Sequence, residues 1–283
     1  MRSFIRSAGK PFQILPVLNY NVDVKYNLTD KEIAVCCASH SGEEIHVETV
    51  KSILEKTGID PSALKCGIHT PLGKEVKNKL RESGTEPSVL HNNCSGKHSA
   101  MLAIAKFMDE DLDSYLDPDH PVQQRILSLI KELTGEEYVS IGVDGCSAPV
   151  FYLTLKSMAE LYHKIATAEN GSSLERIWNI MTSNPLLIGG TDRFDTLMMN
   201  AGNGKILSKM GAEGIQCMAF HTADGPISLA VKVHDGSRRA VVPAVVHIMD
   251  KLGLSPNIDL ERFKFPILKN HMGIEVGKIK IEA

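Results

Sequence analysis

The sequence has no apolar run that approaches the roughly 20 residues needed for a transmembrane helix. Its N-terminal residues 1–6 also lack the apolar core of a signal peptide. Basic residues are not in excess, because 31 lysines and arginines face 34 acidic residues and leave a net charge of −3. With this charge balance we expect no basic surface that would bind nucleic acid and no attraction to a membrane surface. We expect a cytoplasmic protein.

Cysteine is too sparse for a disulfide framework. The six cysteines are spread over 283 residues, and two of them, Cys36 and Cys37, are adjacent. This pattern is typical of a protein from a reducing compartment. The chain also lacks the Cys-x-x-Cys and His-Glu-x-x-His motifs, so no local motif supports a metal site.

What remains is the composition of an ordinary globular domain, 43% hydrophobic and 23% charged. Short apolar runs predict strands at 33–38, 139–143, 205–210, 215–220, 227–233 and 275–282. Apolar periodicity predicts helices at 43–56, 73–82, 99–108, 121–134, from 150 onward, 172–184 and 238–252. No internal repeat or linker interrupts this order. The fold class predicted is α/β, with a mainly antiparallel sheet flanked by helices in one domain over residues 1–283.

Two serines have a lysine that could activate them. Ser7 and Lys10 have the spacing of a Ser-x-x-Lys motif, which places both side chains on one face of a helical turn. Ser39 follows the predicted strand 33–38, and Lys209 could reach it through the fold. A buried lysine near another cation loses its proton readily and can then act as a general base. The sequence therefore indicates a serine–lysine hydrolase.

The polar octet His91–His98 precedes a predicted helix and contains Cys94 and Lys97. The positive end of the helix dipole is expected to lower the pKa of a thiol placed there. Cys146 follows another predicted strand, two residues after Asp144. Two thiols and a neutral lysine amine could bind zinc. The alternative is a polar helix cap formed by Asn93 or Ser95, with structural cysteines.

Five segments in the same order resemble the rhizobial-type (class 3, asparaginase II) L-asparaginases. They are Arg6–Pro11, Ala38–Glu43, His91–His98, Gly142–Cys146 and Lys209–Gly214. The segment Asn270–Gly277 is similar to that family as well. Five ordered motifs over most of the chain are far more specific than any one of them.

The resemblance implies a fold like that of serine β-lactamases and glutaminases. It also implies a homodimeric amidohydrolase that converts L-asparagine and water to L-aspartate and ammonia. Members of the family usually have about forty residues before the Ser-x-x-Lys motif, including a strand hairpin. Here Ser7 stands almost at the start, so we expect either that this lineage lacks the hairpin or that the chain is a shortened form. Loss of the hairpin is expected to expose a sheet edge beside the active site.

Residue by residue, Ser7 with Lys10 and Ser39 with Lys209 match the two serine–lysine tandems of the family. Those four residues are the expected catalytic groups, and either serine could be the nucleophile. Further matches are the zinc ligands Cys94, Lys97 and Cys146, and the substrate-binding residues Asp144, Arg6 and His40. Zinc in that family organises the site more than it generates the nucleophile. Two other functions stay open, a related glutaminase or amidase and a non-catalytic protein that binds zinc or an amino acid.

Overall fold

Three antiparallel sheets form the β structure of the computed structural model, which describes residues 1–282. The first sheet has the order β1-β3-β2, with β1 at Arg2–Phe4, β2 at Ser140–Val143 and β3 at Pro149–Thr154. The second has the order β4-β5-β6, with β4 at Ile206–Gly211, β5 at Ile215–Thr222 and β6 at Gly225–Lys232. A separate hairpin pairs β7, Ile267–Lys269, with β8, Glu275–Lys278. The strand predicted at 275–282 is therefore shorter than expected.

Helices surround the first two sheets. They are α1 Lys10–Gln13, α2 Leu15–Asn19, α3 Val22–Lys25, α4 Asp30–Cys37, α5 Glu44–Thr57, α6 Lys74–Ser83, α7 Ser95–Phe107, α8 Pro121–Thr134, α9 Leu155–Ala166, α10 Ser173–Ser183, α11 Pro185–Ile188, α12 Phe194–Gly202, α13 Arg238–Lys251 and α14 Glu261–Lys264. Among residues 1–282, no helix has the length and apolar character to cross a bilayer. The α/β class with antiparallel sheets flanked by helices is confirmed.

Local sequence signals account for the elements that were predicted correctly. The strands β4, β5 and β6 alternate with short glycine-containing turns and pair with their neighbours in the chain. Helices α5 and α8 each end at a glycine, Gly58 and Gly135, in the left-handed conformation that favours this residue. These elements form the scaffold behind the candidate site.

The strand predicted at 33–38 is wrong, because this segment belongs to helix α4. Thr29 caps the helix by accepting a hydrogen bond from the backbone N–H of Glu32, whose carboxylate accepts from the Thr29 N–H at 2.6 Å. All residues from 32 to 37 are buried, because α5, α7 and α10 pack around the helix. A helix that is buried on every side has no polar face and reads in sequence like a buried strand.

The helix predicted from Val150 is also wrong at its start. Residues 149–154 form β3, the central strand of the first sheet, and α9 begins only at Leu155. Thr154 is the N-cap, since its hydroxyl accepts from the backbone N–H of Ser157 at 2.9 Å. The apolar run alone does not distinguish a strand from a helix. Pairing with β1 on one side and with β2 on the other makes this segment a strand.

Helix α7 lies in the main core and crosses α4 closely. Its residues 95–105 are all buried. At Gly96 a β-carbon would lie 2.2 Å from the carbonyl oxygen of Val35, so only glycine permits this approach. The crossing brings the start of α7, which carries Cys94, beside the end of α4, which leads to Ser39.

Candidate active site

The amine of Lys10 and the hydroxyl of Ser39 form the central contact of the site. Lys10 is the first residue of α1, and Ser39 follows the end of α4. The Lys10 Nζ atom donates a hydrogen bond to Ser39 Oγ at 3.0 Å. It also donates to the carbonyl oxygens of Ala38 and, at 3.1 Å, Asn93. Lys10 is fully buried whereas Ser39 keeps 7% exposure, so Ser39 is the member of the pair nearer to solvent.

The three acceptors around the Lys10 amine are compatible with both the charged and the neutral form of the side chain. An ammonium group has three N–H bonds, one for each of the two carbonyl oxygens and one for Ser39. A neutral amine keeps two N–H bonds for the carbonyl oxygens, and its lone pair can accept the O–H of Ser39. The arrangement can therefore take up the serine proton while the serine oxygen attacks an electrophile.

Ser7 lies on the 3₁₀ turn Arg6–Gly9, three residues before Lys10. The turn begins at Arg6, whose backbone has a left-handed φ of 51° that costs energy for any residue with a side chain. The sequence pairs Ser7 with Lys10, yet among residues 1–282 the serine hydrogen-bonded to Lys10 is Ser39. Ser7 is half-buried, and its turn packs against β4. Both serines thus lie on segments that meet at Lys10.

Lys209 lies in the middle of β4 and is fully buried. Its Nζ donates to the carbonyl oxygen of Met210 at 2.9 Å, and within residues 1–282 no hydrogen bond joins it to Ser39. Burial lowers the pKa of Lys209 to about 7; the Asp195 carboxylate opposes this shift and the charge of Lys10 adds to it. A lysine with this pKa is about half neutral at pH 7, and the neutral form can accept a proton from a substrate or from water.

Arg6 and Asp144 form an ion pair at the edge of the site. The Arg6 Nε atom donates to Asp144 Oδ1 at 2.7 Å, and its Nη1 lies 2.9 Å from Glu213 Oε1. The N–H of Gly145 donates to the same Asp144 oxygen. Two of the three residues predicted to bind substrate are therefore brought together, and Arg6 holds the carboxylate in one orientation.

His40 is buried and braces the loop after α4. Its Nδ1 accepts from the N–H of Gly42 at 3.2 Å, so its Nε2–H donates to Ser95 Oγ at 3.0 Å. The ring stacks on His46 with centroids 4.9 Å apart. Burial and the neighbouring His46 hold the pKa of His40 well below its usual value. Both ring nitrogens form hydrogen bonds with protein groups. The predicted contact of His40 with substrate would therefore require one of these hydrogen bonds to break.

Ser41 and Glu44 have the sequence spacing of a capping box, but Ser41 does not cap helix α5. The N-cap of α5 is Glu43, and His46 supplies the reciprocal hydrogen bond from the third helical position. The Ser41 hydroxyl instead donates to the carbonyl oxygen of Gly189 at 2.9 Å. It thus joins the loop after α4 to the segment before α12.

Cys94, Lys97 and Cys146 meet at the N-terminus of α7. The Lys97 Nζ atom lies 3.2 Å from Cys146 Sγ, and all three residues are buried. A hydrogen bond from the Cys94 thiol, followed by the charge of Lys97, lowers the pKa of Cys146 far below its usual value. The same hydrogen bond and burial raise the pKa of Cys94. The lowering of the Cys94 pKa expected from the helix N-terminus is therefore opposed by the neighbouring thiol of Cys146 and by burial.

The residue at the N-cap of α7 is Cys94 itself, which differs from the predicted cap at Asn93 or Ser95. The Cys94 side chain does not cap the helix; the amide oxygen of Asn92 accepts from the Cys94 N–H at 2.8 Å. Ser95 is the first residue of the helix.

The donor set around Cys146 fits a soft divalent ion such as zinc. It provides two thiols and an amine in a buried position. His98 lies beside Cys146, and among residues 1–282 its buried Nε2 atom has no hydrogen-bond partner. No group of three or more His, Cys, Asp or Glu side chains in that same range is arranged to hold a metal, so Lys97 would have to be a ligand.

A buried network behind Lys209 was missed by the sequence analysis. One oxygen of Asp195 accepts from Ser208 Oγ at 2.7 Å and from Gln216 Nε2 at 2.8 Å, and the other accepts from the Met210 N–H at 2.9 Å. Asp195 lies in the first turn of α12. An acidic residue at that position is common in any helix, so nothing in the sequence points to its contacts with β4.

A cavity of about 640 Å³ is lined in part by the loop that follows Ser39. Its walls come from residues 41–47, 72–80 and 191–193, together with His91. The four serine and lysine side chains are not part of these walls, but the first wall begins two residues after Ser39. Arg193 lines the cavity on the side of α12. The sequence predicted no role for it, because its glycine-containing segment lacks the Gly-Lys-Ser/Thr ending of a phosphate loop.

Comparison with known proteins identifies the family of the chain. The family model described as L-asparaginase II matches residues 1–281. A search of curated proteins finds no significant match. The family match covers the turn of Ser7, the loop of Ser39, the thiol cluster and Lys209. This chain belongs to the L-asparaginase II family.

Proposed function

We propose that the chain is an L-asparagine amidohydrolase, which converts L-asparagine and water to L-aspartate and ammonia. Family membership supports a hydrolase that acts on an amide. The observation that carries the finer proposal is the 3.0 Å contact between Lys10 Nζ and Ser39 Oγ. It joins a nucleophile to a base in a site that is almost closed to water.

In the proposed reaction, Ser39 Oγ attacks the side-chain amide carbon of asparagine while its proton passes to the neutral amine of Lys10. Backbone N–H groups stabilise the oxyanion of the tetrahedral intermediate. The C–N bond then breaks, and the lysine returns the proton to the departing nitrogen, which leaves as ammonia. Water attacks the resulting ester, and L-aspartate leaves as the serine regains its proton.

Ser7 and Lys209 form the second half of the proposed site. The pKa of about 7 for Lys209 leaves part of its amine neutral at physiological pH. Such an amine can activate the water that hydrolyses the ester, or it can activate Ser7 in the first step. We assign the first attack to Ser39 because Ser39, rather than Ser7, is hydrogen-bonded to a lysine.

For the metal, we propose that Cys94, Lys97 and Cys146 hold zinc. When bound, zinc supplies positive charge that keeps thiols ionised and an amine neutral at the base of the site. Asp144 is fixed by Arg6 at 2.7 Å and is proposed to bind the amino group of the substrate with its carboxylate.

We further propose a fold of the serine β-lactamase and glutaminase type, a homodimer and a cytoplasmic location. The antiparallel second sheet, with Lys209 on β4, supports the fold assignment. Light scattering on the purified protein would test the dimer, which predicts a mass of twice 31.0 kDa.

The direct test of function is ammonia release from L-asparagine and from L-glutamine, each with and without added zinc. Preferential turnover of asparagine supports the proposal. Faster turnover of glutamine would assign the chain to a glutaminase instead. Calorimetric binding of asparagine without ammonia release would identify a non-catalytic binding protein.

A further inference from the structure

Arg193 is a largely buried cation without a carboxylate partner. Within residues 1–282 it forms no ion pair, and its side-chain hydrogen bond, at 3.9 Å, is to the thioether of Met210. A thioether is a weak acceptor for a guanidinium group. Burial lowers the pKa of Arg193, as expected for a charge that has lost water without gaining an anion.

The two nearest carboxylates are already bonded to other groups. Glu43 accepts from the N–H and the hydroxyl of Thr191 at 2.7 and 3.0 Å. Asp195 accepts three hydrogen bonds from the network behind β4. Both lie close enough to influence Arg193 electrostatically, but neither forms the bidentate pair that a guanidinium group favours.

The wall that carries Arg193 is fixed rigidly to the loop of Ser39. The N–H of Ser39 donates to the carbonyl oxygen of Ile188 at 3.1 Å, and Ser41 donates to Gly189 in the same pair of segments. At Gly190 a β-carbon would lie 2.6 Å from Ser41 Oγ. These contacts hold residues 188–193 and 39–43 side by side, with Ser39 at one end and Arg193 near the other.

Arg193 also lies close to the second lysine of the site. The thioether that it contacts belongs to Met210, whose carbonyl oxygen accepts from Lys209 Nζ. Arg193 therefore lines the cavity of about 640 Å³ and contacts the residue that follows Lys209. A cavity of this volume is ample for an amino acid.

We propose that Arg193 binds the carboxylate of the substrate and thereby restricts the enzyme to amides that carry a free carboxylate. The proposal rests on the amidohydrolase function proposed above and deepens it. A free amino acid amide satisfies the guanidinium group. An ester, or an asparagine whose carboxyl group is within a peptide bond, leaves Arg193 buried and unpaired, which costs binding energy.

The test compares ammonia release from L-asparagine with that from L-asparagine methyl ester, which has the same side-chain amide but no carboxylate. The wild-type kcat/KM should favour the free acid by about 100-fold. In Arg193→Gln this preference should fall to within a few-fold, because kcat/KM falls for asparagine and does not fall for the ester. Arg193→Lys should restore part of the preference. Arg2→Gln, which removes an exposed charge that pairs with Glu136 and does not line the cavity, should keep the wild-type ratio.

If Arg193→Gln lowers kcat/KM equally for asparagine and for the ester, Arg193 has only a structural role and the proposal is overturned. A preference for the free acid that is unchanged in Arg193→Gln would also overturn it. A second measurement separates this failure from a failure of the proposed function. L-aspartate and succinate should raise the melting temperature of the wild-type protein and of Ser39→Ala, but not that of Arg193→Gln. If asparagine is not hydrolysed, this carboxylate-dependent shift still decides the role of Arg193, and its absence in the wild type refutes it.

Discussion

Lys10 donates a hydrogen bond to Ser39 at 3.0 Å, although its position in a Ser-x-x-Lys motif places it beside Ser7 in the sequence. The amine is held by the carbonyl oxygens of Ala38, at the end of α4, and Asn93, just before α7. Its orientation is therefore set by two helices that are distant from it in the chain. This relationship determines which serine we expect to attack.

Ser39→Ala is expected to lower kcat/KM for L-asparagine by about 10³-fold or more, because it removes the nucleophile and leaves only binding. Ammonia release measures the effect, with Ser7→Ala assayed in parallel. Ser99→Ala is a matched control, since it removes a buried hydroxyl that donates to the Ser95 carbonyl oxygen at 2.9 Å. Full activity in Ser39→Ala and loss in Ser7→Ala would transfer the nucleophile to Ser7.

The rate of hydrolysis should rise as the pH passes through about 7, because Lys209 must lose its proton to act as a base and its pKa is about 7. The profile of kcat/KM against pH measures this limb. Lys209→Met should be nearly inactive at every pH. If Lys209→Met keeps substantial activity and its kcat/KM rises at the same pH, another group is responsible for the pH dependence.

Lys209 also makes stability depend on pH. In the unfolded chain it keeps its proton up to about 10.5, but in the folded protein only up to about 7. Between these values the unfolded state binds more protons, so the free energy of unfolding rises with pH by about 1.4 kcal/mol per pH unit from this group. Lys209→Met should lose this rise of the free energy of unfolding with pH, and it should be more stable than wild type near pH 7. Urea unfolding at pH 7, 8 and 9 checks the slope; equal slopes in both proteins would contradict it.

Purified protein expressed with ample metal should contain about one zinc per chain, measured by elemental analysis. Cys146→Ala should lose it, because one of two thiolate donors is removed. Cys36→Ala is the control, since Cys36 is equally buried but lies inside α4. Absence of zinc from the wild type would return Cys94 and Cys146 to a purely structural role.

Asp195→Asn should destabilise the fold by about 2–4 kcal/mol, because an amide N–H₂ would face the donors of Ser208, Gln216 or Met210. Asp195 also raises the pKa of Lys209, so its removal should move the acid limb of activity to lower pH. Thermal unfolding and the pH profile test the two effects. A stable variant with an unmoved limb would rule out a link between Asp195 and Lys209.

The sequence predicted those parts of the structure that local chemistry controls. Glycines in the left-handed conformation ended α5 and α8 where expected, and alternation with short turns located β4, β5 and β6. It failed at α4 and β3, two apolar segments that are mostly buried. When every face of an element is buried, a helix and a strand have the same composition, and only their neighbours decide between them.

Composition, residue order and motifs by themselves determined the family, the two serines, the two lysines and the thiol pair. Tertiary structure decided how these groups pair: Lys10 with Ser39, Lys97 with Cys146, and Arg6 with Asp144. It also decided that Lys209 is deeply buried and that Arg193 lies without an ion-pair partner, among residues 1–282, at the wall of a cavity. Hydrogen-bond partners and desolvation depend on distances between segments far apart in the chain, and these distances exist only in the folded protein.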